Sequence, residues 1–438
     1  MNNLFIKKNL YNLITNLSII FLLLLFFYKI NFETFIPVSG DELNSILVYS
    51  SNVKTVFLKN FPGNVTFFHL LGYFKTLLFG YDLISYRAIT FIFLIFHFWI
   101  LKKMKYGNNI IIFFFTLILL SSSFPYYAGI YVGYIFSSLI YFFIFYLIKI
   151  NLNERHTKLI LFLLFIQIYN HLVNLYLVVP IIFALFIFSD KKKFIKSFLF
   201  YYLLPVIIFY TVSIILTGLS VLKVSNVNLS FILFFLIENY QNVLINGFNR
   251  IFFYEAYMSA EKFNIIKIIN DFFVFDKMIF TLFVTSLVIT IFNFTKNKNK
   301  IFSLIIFFHV LTFFLIYKNP APRIFVGFYC FYIFLFLDFI YNNKSLITII
   351  DNKSFFWIFL IILIYQLISF DYLKNIPHDD YQDFNFFEDK ISNNLLSKKC
   401  ELINKDFSEM QKRNFYFNYI NLCNHKFNLT EFLNFYRS

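Results

Sequence analysis

Charge is what this sequence has least of. Only 14% of its 438 residues are Asp, Glu, Lys or Arg, roughly half the share of an ordinary soluble domain. With a mean hydropathy of +0.71, that excludes a free-standing globular chain. Glycine (10) and proline (8) are also scarce. Transporters usually carry inverted repeats and Gly/Pro-broken spans; no repeat stands out here, which argues against that class. The three cysteines are Cys330, Cys400 and Cys423, and no Cys/His spacing of the metal-binding type is present, so no metal site is assigned. Cys330 lies in an apolar run as a packed thiol. Cys400 and Cys423 are either a disulfide in an oxidising compartment or two free thiols. The first apolar run, about 13–30, has a basic flank (Lys7, Lys8) but no small-residue cleavage site. It is expected to be a retained span, not a signal peptide.

Long apolar runs are what the chain does have, and 71 Phe and 31 Tyr fill them. That usage, with abundant Asn and Lys, reads as an AT-rich coding sequence and not as a chemical signal. The net charge of +15 would suit nucleic acid, but its placement does not. Basic residues cluster between apolar runs: Lys102-Lys103-Met104-Lys105, Lys149 with Arg155 and Lys158, Lys191-Lys192-Lys193 with Lys196, Lys296 to Lys300, and Lys344 with Lys353. This is the pattern of cytoplasmic loops, and it puts the N-terminus inside.

Between two cytoplasmic clusters the chain crosses an even number of times. Two spans are therefore expected within 110–148, meeting at Ser121-Ser122-Ser123-Phe124-Pro125. Two more fall within 159–188, meeting near Tyr169-Asn170-His171. The latter pair is too short to cross a core of about 30 Å unaided, so its turn should be sunk and line a cavity. Further spans are expected at about 88–101, 198–216, 278–294, 301–317, 324–341 and 355–370. The fold class is thus all-α integral membrane with about eleven transmembrane helices. The transmembrane domain covers 1–370, with outer loops at 31–87 and 218–277. A small extracytoplasmic domain, 371–438, caps it or merely stabilises it. Loop one carries Leu43, Ile46, Leu47, Val65, Phe68, Leu71 and Leu78 at helical spacing, as interfacial helices do. Asn239 to Asp271 reads similarly, as a mobile lid or an ordinary loop helix.

The most polar feature near the membrane face is Ser39-Gly40-Asp41-Glu42. Such a pair either complements a helix N-terminus or acts as a general base or cation ligand at the membrane surface. Further along come Phe61-Pro62-Gly63-Asn64-Val65-Thr66-Phe67-Phe68-His69, then Phe79-Gly80, then Tyr86-Arg87. An acidic pair, an aromatic pair some twenty residues on, a Phe-Gly step and an Arg seven residues after the glycine together resemble the C-type (GT-C) glycosyltransferase superfamily. The branch concerned contains the protein O-mannosyltransferases and the lipid A aminoarabinose transferase. Asn64-Val65-Thr66 stands where that family usually has His-Pro-Pro. Phe124-Pro125-Tyr126-Tyr127 with Tyr134, Tyr169-Asn170-His171 and Ala321-Pro322-Arg323-Ile324-Phe325 are similar to further family segments. The acidic residue and arginine often found near the Pro-to-Tyr stretch are absent.

The resemblance implies transfer of a sugar from a polyprenyl-phosphate donor to an extracytoplasmic glycan, lipid or protein. It implies single displacement with Asp41 as base and Glu42 positioning the acceptor or substituting as base. Arg323 and Arg87 would hold the donor phosphate, and Asn64, His69, His171 and Tyr134 would bind substrate. Both arginines also read as snorkelling anchors, and His171 as a satisfied core histidine. No cofactor is implied beyond a divalent cation, which stays open. The expected location is a bacterial inner or plasma membrane. Two other classes compete: a surface-polysaccharide polymerase or ligase, which would use Arg250 and the second outer loop, and a lipid-linked sugar flippase.

Overall fold

A computed structural model of the chain describes residues 66–79, 83–121, 123–170, 174–209, 265–295, 300–316, 322–350 and 352–369, with residues 13, 16–21, 23–28, 45, 50, 56 and 212 besides. Among these the protein is all-α, with no strand. Asp41, Glu42, Asn64 and His171 lie outside the described residues, as do Arg250, Cys400, Cys423 and the whole 371–438 segment.

The helices are α1 (Thr66–Phe79), α2 (Leu83–Lys103), α3 (Asn108–Leu120), α4 (Phe124–Gly129), α5 (Tyr134–Ile150), α6 (Glu154–Asn170), α7 (Leu175–Phe188) and α8 (Lys191–Phe198), the last running on through a π-turn at Leu199–Leu203. They continue as α9 (Ile265–Phe275), α10 (Lys277–Thr295), α11 (Lys300–Ile316), a 3₁₀ segment at Pro322–Phe328, α12 (Tyr329–Asn342), α13 (Lys344–Ile350) and α14 (Lys353–Ser369). Among the described residues one helix, Ile84–Lys103, is long and apolar enough to cross a membrane. Other apolar helices, such as Asn108–Leu120 and Leu175–Phe188, are shorter.

Several expected spans have a different start: 88–101 begins at Leu83, and the helix expected from 198 begins at Lys191. Pro125 in the first turn favours a helix where a plain turn is expected after Leu120, giving the short α4. The expected 324–341 span opens as a 3₁₀ turn at Pro322–Phe328 that packs against α5. There a Cβ on Gly327 would stand 3.7 Å from the Ser137 Cβ.

Helices α5 and α12 form the centre, with nearly every side chain of α12 buried. Polar contacts sort the helix ends into two groups. At one end Lys149 donates to Asp338 (2.5 Å) and to the Tyr106 hydroxyl (2.6 Å), and Asn109 donates to the Ile350 carbonyl (2.5 Å). At the other end Asp276 is 1% exposed and accepts from the Ser121 and Ser123 hydroxyls (both 2.6 Å) and from the amides of Met278 (2.9 Å) and Ile279 (3.0 Å). It caps α10 and ties it to the end of α3 in one contact.

One bond across the core follows from a single proline. Pro180 lies inside α7 and has no N–H to give the carbonyl four residues before it. That carbonyl, on Tyr176, instead accepts from His309 Nδ1 (2.8 Å) and Thr312 Oγ1 (2.9 Å) of α11. With Nδ1–H so engaged, His309 Nε2 accepts from the Tyr332 hydroxyl (2.9 Å). The proline's missing bond thus becomes a joint between α7, α11 and α12.

Candidate functional site

The residues that pointed to chemistry are not spread over the bundle. The turn Ile130–Tyr134, between α4 and α5, is where neighbours of the described ones make contact. Thr90, one turn beyond Arg87 on α2, donates to the Ile130 carbonyl (3.3 Å). The Tyr131 hydroxyl donates to the carbonyl of Phe68, the neighbour of His69 (3.0 Å), and its ring stacks on Phe68 at 4.2 Å. Asn170, at the end of α6 and next to His171, donates to the Gly133 carbonyl (3.3 Å). The 3₁₀ segment, whose second residue is Arg323, brings Gly327 to within 3.9 Å (from a Cβ built on it) of the Tyr134 carbonyl.

Helix α1 is assembled inside out. Its buried stripe is Thr66, Phe68, His69, Gly72 and Lys75, whereas Leu71, Phe74, Leu77, Leu78 and Phe79 face outward. The polar stripe recurs every third residue, so one face of the helix meets the turn. Gly72 is required there: a Cβ would stand 2.1 Å from the Tyr131 hydroxyl and 2.4 Å from Ser50 Oγ. Lys75 Nζ lies 3.6 Å above the Tyr86 ring, a cation–π contact, and Thr76 hydrogen-bonds the Tyr86 hydroxyl.

Arg87 is 1% exposed, among the largest fully buried side chains. A snorkelling guanidinium reaches water, so the anchor reading of this residue falls away. A buried cation needs compensation by hydrogen bonds or an anion. His69 is equally buried and hydrogen-bonds Ser45 through Nε2 (3.2 Å). Burial pushes its imidazole down to about 3, because desolvation disfavours the charged ring. His69 is therefore a neutral group joining α1 to the preceding stretch at Ser45. Tyr134 is half-buried, with its ring edge-on to Tyr127 at 5.1 Å.

The floor of this region is a set of buried carboxamides. Gln167 donates to the Ser137 carbonyl (2.7 Å), and Asn174 donates to Ser137 Oγ (3.1 Å) and the Gln167 carbonyl (2.8 Å). Asn170 also reaches Ser137 Oγ. Sequence reasoning passed over Gln167, Asn174, Lys75 and Asp276. The signal for Lys75 was available, in the i, i+3 polar stripe of α1. That for the carboxamides was their clustering about a turn too short for its spans. Among the described residues no group of His, Cys, Asp and Glu stands close enough together to hold a metal. Compared with known protein families, curated proteins and solved structures, the chain matches none.

Proposed function

We propose that this protein is an integral membrane glycosyltransferase of about eleven spans that moves a sugar from a polyprenyl-phosphate donor to an extracytoplasmic acceptor. The observation that carries the reading is the meeting of α1, α2, the end of α6 and the 3₁₀ segment at one turn, with a fully buried Arg87 among them. Of the candidate residues, α1 bears His69, α2 bears Arg87, the 3₁₀ segment bears Arg323 and the turn ends at Tyr134; His171 follows α6 in the sequence.

The chemistry runs as a single displacement. The acceptor oxygen or nitrogen attacks the anomeric carbon while Asp41 takes its proton. The bond from that carbon to the phosphate oxygen breaks, and the lipid phosphate leaves with the electron pair. Arg87, with Arg323, steadies the departing charge, for which a guanidinium is suited by its fork of donors. The prenyl tail rests against apolar surface. A small apolar crevice between α2, α3 and α14, lined by Leu23, Leu94, Phe115, Leu119 and Leu363 among others, offers such a surface.

Asp41→Asn tests the assignment. Sugar transfer in membranes from a radiolabelled polyprenyl-phosphate sugar is expected to fall by about 10²-fold or more at unchanged protein level. Full residual turnover rejects Asp41 as the base.

A further inference from the structure

Asn170 has an oxygen with nothing to do. Its side chain is 0% exposed, and its amide nitrogen donates to the Gly133 carbonyl and to Ser137 Oγ. The carbonyl acceptor fixes the amide's orientation, since only the nitrogen end can donate to it. Oδ1 therefore faces away from both, and among the described residues it accepts no hydrogen bond. A buried acceptor left in this state is costly, and buried polar side chains are nearly always paired. The rest of the network is saturated: Gln167, Asn174 and Tyr141 all find partners. Within this carboxamide network the Asn170 oxygen is the atom left over, beside the turn Ile130–Tyr134.

The setting narrows what fills it. Asn170 is the last residue of α6, a helix of 17 residues. That end carries the negative pole of the helix dipole. An anion is disfavoured beside it, so the phosphate belongs on the Arg87 side of the turn. A neutral hydroxyl is favoured, because it donates to an acceptor and carries no charge into an apolar bundle.

We infer that Asn170 Oδ1 accepts a hydrogen bond from a ring hydroxyl of the donor's sugar, making the α6 end the part of the site that tells a sugar-bearing lipid phosphate from the bare one. This rests on the glycosyltransferase reading and adds the residue that reads the sugar.

The experiment uses the full chain in lipid nanodiscs. Binding is measured for undecaprenyl phosphate and for undecaprenyl-phosphate-linked mannose, glucose, galactose and N-acetylglucosamine. Wild type is expected to prefer at least one sugar-bearing lipid over the bare one. Asn170→Ala is expected to lose about 3- to 10-fold of that lipid's affinity, the range of one neutral hydrogen bond, and to bind bare undecaprenyl phosphate as wild type does. Asn174→Ala disturbs the same network without touching the Asn170 oxygen, and its preference should be kept. Equal loss of preference in both variants assigns the effect to packing and overturns the inference, as does an unchanged preference in Asn170→Ala. Should wild type bind bare and sugar-bearing lipids alike, or neither, the glycosyltransferase reading falls and takes this one with it.

Discussion

Gly72 leaves no room for a methyl group. The Tyr131 hydroxyl that a Cβ would strike is held by its bond to the Phe68 carbonyl, and the ring is fully buried. Gly72→Ala must therefore push α1 off the turn, at about 1–3 kcal/mol as overpacking usually costs. A lower thermal midpoint in detergent and weaker transfer are the expected results; a midpoint equal to wild type would show that α1 yields freely. His69 makes a second prediction at this scale. Its imidazole titrates near 6.5 when the chain is unfolded and near 3 when folded. Its stabilising contribution is complete above pH 6.5 and is lost as pH falls through that window, because the unfolded state binds the proton first. Wild type should lose stability on acidification more steeply than His69→Gln, by up to about 1.4 kcal/mol per pH unit. Parallel pH curves for the two proteins would contradict the buried, neutral ring.

Between elements, the joint at Tyr176 is the clearest dependence. Pro180 removes one donor from α7, and α11 replaces it with two, from His309 and Thr312. In an apolar bundle a carbonyl freed by proline must find such partners. Thr312→Val is expected to cost about 1 kcal/mol. Pro180→Ala restores a backbone donor to the same carbonyl, so in that background the Thr312→Val change should cost less than half as much. A double-mutant cycle on thermal stability reads the coupling, and strict additivity would dissolve the joint.

Among the described residues the exterior is unusually apolar, and several polar side chains lie inside. Large apolar side chains such as Phe74, Leu78, Phe96, Trp99, Phe183, Phe200, Ile291, Ile361 and Tyr365 face outward, while Arg87, His97, Gln167, Asn170, Asp276 and His309 are buried. So wide an apolar exterior is uncommon for a monomer in water, and it supports the proposed membrane setting. The basic clusters on 149–158 and 344–353 group with Lys149 and Asp338 at one end, away from Ser121, Ser123 and Asp276. Lys192, just past α7, and Lys277, at the head of α10, are both exposed and should lie on opposite sides of the membrane. In a cysteine-free background, Lys277→Cys should react with an impermeant maleimide in intact cells, and Lys192→Cys only after permeabilisation. Labelling of both in intact cells would overturn the orientation.

Sequence alone determined that the protein is helical and apolar, and where several of its helices begin and end. The spans at 278–294, 301–317 and 355–370 fall within one or two residues of α10, α11 and α14, because uninterrupted apolar runs and the charges between them are local signals. The break near Tyr169-Asn170-His171 was legible for the same reason, since thirty residues must hold two helices. Tertiary structure decided what those local signals cannot carry: that Arg87 is buried and not snorkelling, that Asp276 closes on Ser121 and Ser123 across more than 150 residues, and that α1 turns its polar stripe inward. Each is a contact between segments distant in the chain, where a side chain's surroundings are set by which helices happen to pack together and not by its neighbours in sequence.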